Sequence, residues 1–237
     1  MSTLIFDIET VGEEFDKIDP TTQSVLTRWI EKDSESETEY KHALLDVKAG
    51  LGFSPLTGEI VVIGVFDAEK EKGAVYYQAP GQTFEDFEED GMTYKRMSEK
   101  EMLEHFWNGA EKYREFVSFN GRAFDAPFLM VRSAIHGIRP TKNLLSNRYV
   151  NSQRSDAQHI DLLDQLTFYG AMRRKGALHL WCRAFGIESP KAGGVSGDEV
   201  APMFRGGKFQ DIARYNVGDL RATHKLYEYW KKYLAFT

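Results

Sequence analysis

The sequence predicts an α/β fold in which a mixed β-sheet of about five strands is flanked by helices. Apolar and β-branched runs at 4–8, 59–66 and 74–78 come before any strong helical pattern, and short strand patterns alternate with helical ones after residue 98. This order predicts a three-stranded antiparallel meander followed by strands parallel to the first strand. A chain of 237 residues can bury one sizeable core, so we expect a single domain over 1–237.

Composition and charge narrow the class of protein. Hydrophobic residues make up 42% and aromatic residues 13% of the chain, which favours a globular protein over a disordered one. No apolar run reaches the ~18 residues of a membrane span, and the first residues lack a signal-peptide pattern. The one cysteine, Cys182, is interpreted as a buried helical residue, and its isolation fits a reducing, cytoplasmic location. The net charge of −6 argues against a broad basic face for duplex DNA.

The first predicted strand, which ends near Thr10, carries two acidic residues. The apolar run Leu4-Ile5-Phe6 leads directly into Asp7-Ile8-Glu9. Because strand side chains alternate between faces, Asp7 and Glu9 should point together from the face opposite Leu4, Phe6 and Ile8. Two neighbouring carboxylates at the end of a buried strand repel each other, so a bound cation or a basic partner is expected. The alternative is a carboxylate pair that faces water.

Residues 13–52 show no strand pattern and are interpreted as an insertion between the first two strands. Short helices are expected around Trp29-Ile30 and Ala43-Leu44-Leu45. The charged segment 31–39 between them predicts a solvated loop or an exposed helical turn. An insertion at the edge of a site can contact substrate.

The later elements follow from turn and capping signals. Strands at 59–66 and 74–78 form an expected hairpin. Ser98 and Glu101 have the spacing of a capping box, which begins a helix with the apolar stripe Met102, Leu103, Phe106 and Ala110. The remaining predicted elements are strand 116–119, helix 128–135 ended by His136-Gly137, strand 159–162, and helices at 163–169, 177–185 and 210–234.

Two more acidic residues are predicted to lie close to the sheet: Asp125 at the end of a strand, and Asp219 on the last helix. Asp125 follows the fourth strand, and Pro127 suits the first turn of the next helix, so Asp125 lies at or just before a helix start. It is either a ligand or simply the N-cap residue. Tyr215 and Asp219 are one helical turn apart on a face that continues through apolar residues, which directs Asp219 inward. The alternatives are a surface ion pair of Asp219 with Arg214 or Arg221, and core packing of Tyr215.

Together these segments resemble the three motifs of the DEDD-type 3′–5′ exonucleases, which have the ribonuclease-H-like fold. The motifs are Asp7-Ile8-Glu9, Asn120-Gly121 with Phe124-Asp125, and Tyr215-x-x-x-Asp219, in the order of the family and over nearly the whole chain. More closely, the chain resembles the proofreading exonuclease module of family B DNA polymerases and its stand-alone predicted relatives. The histidine version of the family has His where this chain has Arg214, whereas Tyr215 fits the tyrosine version, DEDDy.

This resemblance implies a metal-dependent hydrolase acting on the 3′ end of single-stranded nucleic acid, with DNA favoured. The four carboxylates would hold two Mg²⁺ or Mn²⁺ ions about 4 Å apart, and the products would be nucleoside 5′-monophosphates. Tyr215 would orient the attacking water, since a phenol with a pKa near 10 is a poor base at neutral pH. The implied metal ligands are Asp7, Glu9, Asp125 and Asp219. A polymerase or a repair protein is a possible partner.

Other side chains are candidates for weaker roles. Thr10, Asn120 and Phe124 are candidate contacts of the last nucleotide, and Phe124 could stack on its base or belong to the core. Lys191 and the basic run 173–175 are candidate phosphate contacts, although such clusters usually face solvent. Asp161 and His159 are interpreted as structural. Two other functions stay open: a catalytically idle ribonuclease-H-like module that binds nucleic acid or protein, and a metal-dependent phosphoesterase with a small substrate.

Overall fold

One mixed sheet organises the computed structural model, which describes residues 2–189 and 197–236. Over these ranges the sheet has seven strands in the order β4-β5-β3-β2-β1-β6-β7. The strands are β1 (Thr3–Gly12), β2 (Gly58–Asp67), β3 (Lys72–Tyr77), β4 (Phe87–Glu89), β5 (Met92–Arg96), β6 (Glu115–Ser118) and β7 (Gln158–Asp161). The α-helices of the same ranges are α1 (Pro20–Asp33), α2 (Glu37–Gly50), α3 (Glu99–Ala110), α4 (Asp125–Ile135), α5 (Leu162–Leu166), α6 (Leu178–Phe185), α7 (Val200–Arg205) and α8 (Phe209–Tyr233).

The pairing of the strands confirms the predicted mixture of directions. β1 pairs antiparallel with β2, and β2 pairs antiparallel with β3, which gives the meander. β6 runs parallel to β1, and β7 runs parallel to β6. The pairing register of β1 and β2 shifts between Glu9 and Thr10, so a β-bulge lies beside the two acidic residues.

The sheet is wider than the predicted five strands because β4 and β5 form an additional hairpin at its edge. β5 runs parallel to β3, and β4 pairs antiparallel with β5. These strands have three and five residues, so the alternation of the buried Met92 and Tyr94 with polar residues in β5 covers too few positions to predict a strand. A signal was nevertheless present: Asp90-Gly91 connects the two strands with positive φ at both residues, and Asp-Gly is a strong hairpin signal.

Helices cover both faces of the sheet, and β1 contributes to both cores. Leu4, Phe6 and Ile8 pack with Phe106 and Trp107 of α3 in one cluster. The opposite face of β1 belongs to a second cluster, in which Ile5 and Val11 join Leu220 and Leu226 of α8. The predicted alternation of β1 is therefore confirmed, and its acidic residues lie on the face covered by α8.

In the structure the insertion occupies 13–57, between β1 and β2, and contains two 14-residue helices, α1 and α2. The charged segment 31–39 consists of exposed helical turns on either side of a short loop at 34–36, as one of the two predictions for it stated. Asp19 caps α1 by accepting hydrogen bonds from the amides of Thr21 and Thr22. Ser36 caps α2 through the amide of Glu39. The charged residues lie mostly on exposed faces, where they are compatible with helical structure. In the part of the chain that the structure describes, no helix is both long and apolar enough to cross a bilayer.

Candidate active site

Three of the four predicted carboxylates converge between β1 and α8. Asp7 and Glu9 come from β1 and Asp219 from α8, and each offers an oxygen atom that lies within 4.8 Å of the others. Glu9 is buried, and the other two are partly buried. Carboxylate oxygens in this arrangement form a donor set that suits a hard divalent cation.

The carboxamide of Asn216 on α8 positions two of these acids. Its Nδ2 donates hydrogen bonds to Asp7 Oδ2 at 2.7 Å and to Glu9 Oε1 at 3.5 Å. Asn216 is completely buried, and it can approach the sheet because residue 64 of β2 is glycine. A Cβ atom at Gly64 would lie 1.9 Å from Asn216 Oδ1. Asn216 was not among the predicted site residues, although it follows Tyr215 directly and lies one turn before the buried Leu220.

Asp125, the fourth predicted carboxylate, lies beside this group and bonds to the backbone of β1. It is the first residue of α4, whose N-cap position is occupied by Phe124. Its Oδ1 accepts a hydrogen bond of 3.0 Å from the amide of Ile8, the residue between Asp7 and Glu9. Asp125 therefore connects the start of α4 to the acidic segment of β1.

Burial and mutual repulsion raise the pKa values of these acids. Burial raises the pKa of Asp7 well above its usual range, and the charges of Asp125, Asp219 and Glu9 raise it further. The pKa of Glu9 is also raised well above its usual range, first by burial and then by Asp219, against the lowering effect of the Asn216 hydrogen bond. Burial raises the pKa of Asp125 to about 7 despite the bond from Ile8. Such a cluster is expected to gain stability from a bound cation.

Tyr215 lies next to the converging carboxylates, as predicted. Its hydroxyl bonds to the Asp219 carboxylate, and its side chain is partly buried. Burial and then the charges of Asp219 and Glu9 raise the pKa of the phenol far above its usual value of about 10. Tyr215 is therefore a neutral hydroxyl at physiological pH. The two arginines proposed as alternative surface partners of Asp219 instead contact the β4–β5 hairpin: Arg214 bonds to Glu89 at 2.8 Å, and Arg221 donates to the carbonyl of Asp90 at 2.7 Å.

The predicted nucleotide contacts have different structural surroundings. The hydroxyl of Thr10 donates to the carbonyl of Gly52 at 2.6 Å. Asn120 has a left-handed backbone with φ 63°, which asparagine tolerates better than most residues. Phe124 is partly buried and packs on Phe128 with ring centroids 5.0 Å apart. Lys191 lies outside the described residues, and the basic run 173–175 is exposed.

Asp161 and His159, two residues of β7, bond to neighbouring parts of the structure. Asp161 accepts hydrogen bonds from the amides of Asn120, Arg122 and Leu163, so it fixes the turn before α4 and the start of α5. His159 is fully buried, and its ring bonds to Ser118 Oγ at 2.7 Å and to the carbonyl of Leu144 at 3.0 Å. Burial lowers the pKa of His159 to about 4, so the ring is neutral.

A cleft of about 870 Å³ opens beside the carboxylates. Its walls come from the end of β1, the insertion, the start of α4 and the α7 region, and they include Glu9, Thr10, Lys48, Phe53, Phe124 and Arg205. Glu9 therefore belongs both to the acidic group and to the wall of the cleft. A ligand in this cleft would reach the carboxylates from the side of the insertion.

Comparison with known proteins gives one family and a structural relative. Residues 77–234 match the family described as "Predicted 3'-5' exonuclease related to the exonuclease domain of PolB". The fold is similar to that of the family B DNA polymerase from the hyperthermophilic archaeon Pyrobaculum calidifontis, with a TM-score of 0.59 and 16% sequence identity over 97% of this chain. The chain spans 24% of that polymerase, and the likeness confirms the ribonuclease-H-like fold. No curated protein matches the sequence.

Proposed function

The chain belongs to the family of predicted 3′–5′ exonucleases related to the exonuclease domain of PolB, and from this membership we propose a specific reaction. The protein hydrolyses the terminal phosphodiester bond at the 3′ end of single-stranded nucleic acid, with DNA favoured, and releases nucleoside 5′-monophosphates. The observation that carries this proposal is the convergence of Asp7, Glu9 and Asp219 within 4.8 Å beside a cleft that Glu9 also lines. With Tyr215 one turn before Asp219, the enzyme belongs to the tyrosine subclass.

Divalent metal is the cofactor that this donor set fits, as in exonuclease domains of this kind. Asp7, Glu9 and Asp219 would hold Mg²⁺ or Mn²⁺, with Asp125 beside them completing the four-acid set. Two such ions would supply a lowered pKa of the attacking water and stabilisation of the leaving 3′-oxygen. The raised pKa values of Asp7 and Glu9 support this assignment, because a cation would relieve the repulsion that raises them.

The side chains of the protein then bind and orient the reactants. Tyr215 is a neutral hydroxyl, so it orients the attacking water by hydrogen bonding and does not remove a proton from it. Asn216 keeps the Asp7 and Glu9 carboxylates in place. The oxygen of the water adds to phosphorus and the bond from phosphorus to the 3′-oxygen breaks. The water releases one proton to solvent and the leaving 3′-oxygen takes one from solvent, which leaves a 3′-hydroxyl on the shortened strand. A polymerase or a repair protein is the proposed partner that would supply such ends.

The experiment is a degradation assay with 5′-labelled single-stranded DNA and RNA in the presence of Mg²⁺, Mn²⁺ or EDTA. We expect a ladder that shortens from the 3′ end with either metal, faster on DNA, and no ladder with EDTA. Asp7→Ala should reduce the rate below detection because one member of the converging group is lost. Asp156→Asn is the matched control, since Asp156 is exposed and pairs only at the surface with Arg154.

The same assay separates the proposal from the other functions. Absence of degradation of both polymers with both metals would contradict the exonuclease and favour an idle binding module. Hydrolysis of bis(4-nitrophenyl) phosphate without degradation of either polymer would favour a phosphoesterase with a small substrate. Full activity of Asp7→Ala would show that the carboxylate assignment is wrong.

A further inference from the structure

Phe53, a residue of the insertion, presents an exposed aromatic ring to the cleft. Its side chain is 66% exposed, and it forms part of the cleft wall together with Phe124. The two ring centroids are 6.3 Å apart at an interplanar angle of 64°, so the rings meet edge to face. The pair joins the insertion to the start of α4, the helix that begins with Asp125.

The backbone before Phe53 is fixed on the end of β1. Thr10 donates a hydrogen bond of 2.6 Å to the carbonyl of Gly52, and Thr57 donates one of 2.8 Å to the carbonyl of Leu51. The two backbones touch directly, because a Cβ atom at Gly12 would lie 2.7 Å from the amide nitrogen of Gly52. The exposed ring of Phe53 is thus attached to backbone that packs on Gly12, three residues after Glu9 in the chain.

A single exposed apolar side chain is common and needs no functional explanation. Phe53 differs because the cleft that it lines also contains Glu9, and because a second aromatic ring lies next to it. An aromatic surface on the path to a phosphodiester-cleaving site is suited to the face of an unpaired base, since every base has a π-face that can stack. A base inside a duplex is stacked and paired, so its face is not free.

We propose that Phe53 and Phe124 form a stacking platform for the unpaired 3′-terminal base of the substrate, with Phe53 supplied by the insertion. The inference rests on the proposed function and makes it more specific: the platform selects frayed or single-stranded ends without reading their sequence. Arg205 and Lys48 line the same cleft. Lys48 is paired there with Asp16 at 3.0 Å, so Arg205 is the cation offered to the phosphates that follow.

The test is steady-state kinetics on two single-stranded DNA substrates that differ only at the 3′-terminal nucleotide, which is either normal or abasic. On the normal substrate, Phe53→Ala should raise KM about tenfold, the size of one lost stacking contact, with a smaller effect on kcat. Phe53→Trp should restore KM. Leu56→Ala is the matched control, because Leu56 is 75% exposed in the same turn region but does not line the cleft; it should leave KM unchanged.

The abasic substrate distinguishes stacking from a general effect on structure. On the abasic substrate, the KM of the wild type should be as high as the KM of Phe53→Ala on normal DNA. Phe53→Ala should not raise the KM for the abasic substrate further, because there is no base to stack. An unchanged KM for Phe53→Ala on normal DNA, or an equal rise on both substrates, would overturn the stacking platform. If the wild type degraded neither substrate, the proposed exonuclease function itself would fail, which is a separate result.

Discussion

At the residue scale, the arrangement of the acidic group depends on a contact between an asparagine and a glycine. Asn216 donates to both acids of β1, and Gly64 lies directly opposite Asp7 in the β1–β2 pairing. Among the described residues, Asn216 Oδ1 has no hydrogen-bond partner and points toward Gly64. A buried amide oxygen without a partner is unfavourable. The position of the Asn216 side chain is therefore set by the hydrogen bonds that its Nδ2 donates and by the space that Gly64 leaves.

A double-mutant cycle tests this contact. Gly64→Ala should lower the free energy of unfolding by about 2–3 kcal/mol, since the new methyl group would overlap Asn216 Oδ1. In an Asn216→Ala background the same substitution should be less destabilising by at least about 1 kcal/mol, because the overlapping amide is gone. Urea denaturation of the four proteins measures both values. Gly109→Ala is the control, because a Cβ atom there meets nothing within 4 Å. Equal losses in the two backgrounds would show that the contact is absent.

At the scale of elements, Glu99 connects three of them at the face opposite α8. This first residue of α3 is 5% exposed and accepts a hydrogen bond of 2.8 Å from the amide of Ile60 in β2. It also accepts two bonds from Arg132 of α4 and contacts His136 at 2.7 Å. The carboxylate therefore holds α4, which carries Asp125 at its other end, against α3 and β2.

The pH dependence of stability should report this connection. Burial alone would raise the pKa of Glu99, but the bonds from Arg132, Ile60 and His136 outweigh it and hold the pKa below its usual value. A lowered carboxyl pKa contributes stability above the unfolded value of about 4.3, and this contribution is lost as the pH falls through the lower folded value. Glu99→Gln should lower the free energy of unfolding by about 3 kcal/mol at pH 7, because Arg132 loses its buried partner.

The difference between wild type and Glu99→Gln should shrink as the pH falls below the unfolded value of about 4.3 toward the lower folded pKa of Glu99. Urea denaturation from pH 7 to pH 3.5 measures it. Glu104→Gln, on the exposed side of α3, should change stability by less than about 0.5 kcal/mol at every pH. A loss for Glu99→Gln that stayed constant with pH would indicate a packing effect and not a lost charge.

The elements also show what a sequence can and cannot predict here. The two faces of β1 were predictable because a period of two leaves no choice once Leu4, Phe6 and Ile8 are buried. Tyr215 and Asp219 were predictable from helical spacing. The role of Gly64 was not, since it depends on which residue of β2 lies beneath α8, a consequence of register and packing. Phe53 was equally hidden, because its position depends on how the insertion returns to β1.

At the scale of the whole molecule, the insertion leaves the sheet and returns to it at neighbouring points. Gly12 at the end of β1 pairs with Gly58 at the start of β2, and the amide of Glu13 donates to the carbonyl of Thr57 at 2.8 Å. The sheet, its two core clusters and the acidic group are built from residues outside 13–57. The insertion instead supplies a wall of the cleft.

Replacement of 13–57 by Asn-Gly should therefore separate substrate binding from the fold, because a two-residue type I′ turn suits the directly paired Gly12 and Gly58. We expect a cooperative unfolding transition and a Kd for Mn²⁺, measured by electron paramagnetic resonance, within about threefold of wild type. KM for single-stranded DNA should rise by more than the roughly tenfold effect of Phe53→Ala, since the rest of the cleft wall that the insertion supplies is lost together with the ring. Full-length Phe53→Ala is the control that isolates the aromatic contribution. A shortened protein that lost Mn²⁺ binding would show that the insertion supports the carboxylates, and one with an unchanged KM would show that the nucleic acid follows another path.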